Sequence, residues 1–244
     1  MLLISLALAA SWEEAPVNEW TPEQWSAAAE ELPAAIEAHR VLLERQQGSM
    51  MMMPGPAGPE QVESLEAWWS EVDQAADRAE MWTYLEADIL SEGPDHATSE
   101  QLTALEQGLE ASSELQPTLI AHQLDVGGAY LAALELTPDA GGRRIRLAGE
   151  LLVLMAETEQ PRCELLDRAM KEHMQVASVP DAAALALTAC VDHEEVSATA
   201  RAYLAAGEES GVLVTYGDQV WSSSGDEDDE DDDVDDGKKR RRKR

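Results

Sequence analysis

The sequence predicts an all-α protein: an irregular helical bundle or a short α-solenoid-like array of helix pairs, with a disordered acidic-then-basic C-terminal tail. Three observations predict it. Ala and Glu dominate the composition, and both favour helix. β-branched residues are sparse before Val212. Apolar residues recur at three-and-four spacing over long segments separated by Pro, Gly and Thr turn signals. Hydrophobic residues make up 44% of the 244, enough for a real core. Phe is absent, so that core rests on Leu, Ala, Val and a few Trp.

The elements follow in order. Leu2 to Ala10 form an apolar run that ends in small residues, with Ala7-Leu8-Ala9 fitting a cleavage site, so 1–10 reads as a signal peptide. No Lys or Arg precedes the run, which departs from that pattern. Residues 12–47 read as an N-terminal helical arm. Thr21-Pro-Glu-Gln24 supplies a capping box with a first-turn proline. Trp25, Ala28, Ala29, Leu32, Ile36 and Leu43 line one face, and Pro33 is expected to kink or restart the helix. Residues 48–59, "GSMMMMPGPAGP", read as a linker.

Residues 60–221 read as the main helical domain. Leu65, Trp68, Trp69, Val72, Ala75, Ala79, Trp82 and Ile89 mark a long helix that "SEGPD" (Ser91–Asp95) should end. Thr98 opens the next with a second capping box, and Pro117 is expected to start another. Thr137 and Val179 are the next predicted openings. Starts at Thr98, Thr137 and Val179 are about 40 residues apart, a spacing in the range of helical repeats. Gly211–Trp221 alternates like a strand pair around Gly217-Asp218.

Net charge is −32. The tail (222–244) holds ten acidic residues, Asp226 to Asp236, and seven basic ones, Lys238 to Arg244. The rest of the chain holds 39 acidic and ten basic residues and is acidic without the tail. Such a body opposes nucleic acid and anionic lipid, and it attracts basic proteins, polyamines or divalent cations. In the tail the two runs lie within a screening length of each other, so it reads as a self-neutralising polyampholyte.

Cys163 and Cys190 fall at the open end of a predicted helical hairpin turned by "SVPDA", where a disulfide would close it. That pairing favours an oxidising compartment. It also argues against zinc. Cys190 and His193 have ligand-like spacing, but His173 belongs at the far end of the hairpin, about 15 Å away. Met50–Met53 offers soft sulfur for copper, yet four consecutive methionines diverge. No metal or cofactor is expected. Arg143, Arg144 and Arg146 form the basic cluster of the body, near a helix N-terminus. They could hold an anion or pair with Glu on neighbouring helices. His39, His96 and His122 have no evident partner, and Trp68, Trp69 and Trp82 belong to the core. No phosphate loop, HExxH or nucleophile elbow is present.

The expected function is that of a non-enzymatic, extracytoplasmic helical scaffold or binding protein with a protein partner, plausibly basic. The alternative is an intracellular or nuclear acidic chaperone of basic proteins, with Lys238–Arg244 as its import signal.

Overall fold

Helix-forming sequence fills almost all of the residues that the computed structural model describes: residue 12 and residues 15–49, 59–174 and 176–210. Seven α-helices lie among them: α1 (Pro22–Ser49), α2 (Pro59–His96), α3 (Ser99–Glu135), α4 (Gly141–Glu157), α5 (Cys163–His173), α6 (Pro180–Ala189) and α7 (Glu194–Ser210). The architecture is an all-α bundle. The signal-like run, most of the linker with Met50–Met53, the Gly211–Trp221 pair and the charged tail lie outside the described residues.

The frame is a long antiparallel pair. α2 and α3 hold 38 and 37 residues, each about 55 Å long at 1.5 Å per residue, and only Ala97 and Thr98 separate them. Thr98 makes the expected capping box: its Oγ1 accepts from Gln101 N–H, and the Gln101 side chain accepts from Thr98 N–H. Thr21 and Gln24 repeat the device at the start of α1.

Two apolar cores form at opposite ends of this pair. At one end Trp25, Leu32 and Ile36 of α1 pack on Trp82 and Ile89 of α2 and Leu105 and Leu109 of α3. Trp12 completes this core. It stacks on Trp82 with ring centroids 4.4 Å apart, and its Nε1 donates to Glu31 Oε2 at 3.0 Å. At the other end Val62, Leu65 and Trp69 of α2 and Leu124 to Leu134 of α3 meet α4 to α7. Ala75, Ala79 and Leu119 form a narrow waist between the two.

Several expectations change. The 12–47 segment, read as an arm, shares a core with α2 and α3 through Trp12, Trp25 and Leu32. Among the described residues before α1, Val17–Glu19 form a 3-10 turn, and α1 begins at Pro22. Pro33, Pro94 and Pro117 lie inside α1, α2 and α3 and divide none of them. An internal proline costs about 3 kcal/mol. Burial on both sides outweighs that, with Leu105, Leu109, Leu119 and Leu124 all enclosed around Pro117.

Thr137 does not open a helix. Its N–H donates to Leu134 O and its Oγ1 to Ala133 O, so it closes α3, and Asp139 turns the chain at φ 62°. The repeat spacing therefore describes unlike units. Thr98 opens one helix of 37 residues, while Pro180 opens one of ten followed by one of 17.

The cysteine hairpin forms as expected. Cys163 is the first residue of α5 and Cys190 the C-cap of α6; the two are disulfide-bonded with Cα atoms 5.7 Å apart. His173 sits at the opposite end of α5, away from both.

Candidate functional site

At the waist a cleft of about 970 Å³ opens between the middle of α2, the middle of α3 and the C-terminal half of α4. α2 contributes Asp73, Asp77 and Glu80, at i, i+4 and i+7 on one helical face. α4 contributes Glu150 and Glu157, one heptad apart and so on one side. Apolar side chains form the walls: Trp69 and Ala76 from α2, Pro117 and Ile120 from α3, Val153 and Leu154 from α4. Among the described residues no lysine, arginine, histidine or cysteine lines it.

Three of these carboxyls titrate above their ordinary range. Burial raises Asp73, and the Asp77 charge adds to it, while a hydrogen bond from Gln123 pulls the other way. Burial raises Glu150; Arg146 opposes the rise and Asp73 adds to it. Burial also raises Glu157, with Glu80 adding. Like charges half withdrawn from water repel one another and favour an incoming cation. Gln123 lies between them, 5% exposed, with Nε2 donating to Asp73 Oδ1 at 2.7 Å. A second groove of about 340 Å³ shares Trp69, Asp73 and Glu150 and continues towards Glu66 and Tyr130.

Several of the scarce cations of the body meet carboxylates, some across helix seams and some within one helix. Arg143 reaches Glu66 of α2 at 3.2 Å, and Arg146 lies 3.8 Å from Glu150 one turn along α4. Arg144 Nε lies 3.2 Å from Glu172 Oε2 of α5 but off the N–H direction, an ionic contact without a hydrogen bond. All three residues of the anticipated anion site thus face carboxylates, Arg143 and Arg144 those of neighbouring helices and Arg146 one on α4 itself. Asp226, Asp236, Lys238 and Arg244 lie outside the described residues.

The histidines separate. His96 is near Glu92 at 3.7 Å on the surface. His39 and His122 are buried, His122 edge-on to Trp68 with centroids 5.4 Å apart. His173 Nδ1 pairs with the Tyr203 hydroxyl at 2.7 Å, and that oxygen accepts from Val179 N–H at 3.1 Å. Trp69 and Trp82 are buried, as read from their stripe, while Trp68 is half-buried against the same core as Trp69. Among the described residues no group of three or more His, Cys, Asp or Glu side chains could hold a metal ion.

The cleft was not anticipated from sequence. A faint signal exists: Asp73, Asp77 and Glu80 repeat beside the apolar stripe of α2, and Gln123 interrupts the apolar run of α3. With 49 acidic residues in the chain, that signal does not stand out. No family model, curated protein or solved structure matches the chain.

Proposed function

We propose that this chain is a non-enzymatic, extracytoplasmic helical binding protein, and that the waist cleft receives a basic segment of a protein partner. The observation that carries the proposal is the cleft itself, with five carboxylates on apolar walls and no lysine or arginine among the described residues that line it. Long basic side chains fit such a surface. Their stems cover apolar groups while their heads meet the carboxylates.

The Cys163–Cys190 pair supports an oxidising compartment. No described helix is long and apolar enough to cross a membrane. Trp12, just beyond the proposed cleavage site, is itself a core residue, so removal of 1–10 leaves that packing in place.

A lysine- and arginine-rich peptide titrated into the full chain tests the reading by calorimetry. Binding is expected that weakens steeply with salt and falls at least tenfold in the Asp77→Asn, Glu80→Gln, Glu157→Gln variant. Peptide binding that this variant leaves unchanged would place recognition elsewhere and overturn the proposal.

A further inference from the structure

We propose that Asp73, Gln123 and Glu150 form a binding site for one primary alkylammonium group, its carbon stem laid along Trp69, Ile120 and Leu154. The inference rests on the cleft reading above and names the chemical group that the cleft takes.

Gln123 supplies the decisive observation. Its side chain is buried among charges, and Nε2 donates to Asp73 Oδ1 at 2.7 Å. That bond sets the amide orientation, because the reverse orientation would bring two oxygens together. Oε1 is then left without a hydrogen-bond partner among the described residues and sealed from water behind the cleft wall, so an ammonium meets it only as the wall side chains shift to admit it. A buried carbonyl without a donor is destabilising, so the position calls for one.

Two anionic acceptors accompany it. Asp73 keeps its second oxygen, since only Oδ1 takes the Gln123 bond. Glu150 is approached by Arg146 through Oε1 alone, at 3.8 Å and near the surface. Three acceptors therefore come from three helices, α2, α3 and α4. An ammonium carries three diverging N–H donors that match separate acceptors. A guanidinium presents a planar fork suited to a single carboxylate. A divalent cation fits less well, since among the described residues no group of three or more His, Cys, Asp or Glu side chains could hold a metal ion. The stem has room in two directions, because the site lies where the 970 Å³ cleft and the 340 Å³ groove meet.

The test uses the full chain and n-butylammonium, with N-butylacetamide and n-butylguanidinium as comparisons. Butylammonium is expected to bind, to shift the Gln123 side-chain amide resonances in the ¹⁵N NMR spectrum, and to outcompete the other two. Gln123→Leu should weaken it about tenfold, as loss of one hydrogen bond to a charged group does, while Glu110→Gln, at an exposed position of α3 outside the cleft, should not. Unmoved Gln123 resonances at saturation in the unaltered protein would overturn the site without recourse to any variant. If the basic peptide still binds in a salt-sensitive way, the ammonium site alone fails; if neither binds, the cleft reading fails with it. An acetylated Gly-Lys-Gly amide and spermidine separate the sources of the amine. Tighter binding of the first marks a lysine of a protein, and tighter binding of the second a free polyamine.

Discussion

At the scale of single residues, one buried polar junction ties four parts of the chain together. The Tyr203 hydroxyl on α7 accepts from Val179 N–H at the start of α6 and pairs with His173 at the end of α5. Gly149 on α4 makes room for the imidazole, since a Cβ there would come within 3.0 Å of His173 Nε2. Burial pushes the Tyr203 hydroxyl up to about 12, despite the Val179 bond, so it stays a donor at any ordinary pH. Burial also lowers His173, against a backbone bond to Ala177 that raises it. A neutral ring with Nδ1 accepting from the tyrosine satisfies both. His39 and His122 are lowered too, each chiefly by burial. The unfolded chain takes up these protons first, near pH 6.5. Stability contributed by the three neutral rings is therefore full above that pH. It is lost as pH falls from there towards the folded-state values. Asp73, Glu150 and Glu157 act with the opposite sign, because the folded state protonates them first. A proton NMR titration of the folded protein should give His173 a midpoint below 6.5; a midpoint at or above that value contradicts the neutral-ring junction.

At the scale of elements, local signals and tertiary demands part company in an instructive way. Capping boxes at Thr21 and Thr98 act where they are written, because they satisfy donors within one turn. Prolines do not, because their cost of about 3 kcal/mol is small beside a long buried stripe. The approach of α2, α3 and α4 depends on Gly127. A Cβ there would lie 2.5 Å from Trp69 Cζ3 and 2.6 Å from Leu151 Cδ2. The hairpin of α5 and α6 is short, with helices of 11 and ten residues, and the disulfide closes its open end. The loop it closes spans 27 residues, for which chain entropy gives about 3 to 4 kcal/mol. The paired Cys163→Ala, Cys190→Ala variant should lose about that much in urea unfolding. A loss below about 1 kcal/mol would show that the hairpin packs without its tie.

At the scale of the whole molecule, charge is distributed unevenly over two cores. Arg78–Glu31, Arg143–Glu66, Arg144–Glu172 and Arg168–Glu135 each join different helices. These pairs are partly exposed and contribute little each, about 0 to 1 kcal/mol. The remaining carboxylates repel one another, and at the waist Asp77 acts so on Asp73 and Glu80 on Glu157. A net charge of −32 should therefore weigh against the compact state. Raising salt from about 0.01 M to about 1 M shortens the screening length from about 30 Å to about 3 Å. The thermal midpoint is expected to rise over that range; a fall would show that the seam pairs outweigh the repulsion.

The sequence by itself determined the all-α class, the two capping boxes, the Pro180 helix start, the Cys163–Cys190 pairing and the burial of Trp69 and Trp82. Each depends on contacts within a few turns or on a single periodicity, which one strand of text records. Tertiary structure alone decided that α1 joins a core, that Pro94 and Pro117 stay inside helices, and that Thr137 closes α3. It also decided which five of many carboxylates share a cleft with Gln123. Those outcomes depend on which faces of α2, α3 and α4 meet, across separations of 50 residues between Asp73 and Gln123. Helical spacing shows that a face exists but not what it packs against, and in so acidic a chain the packing alone singles out the carboxylates that act together.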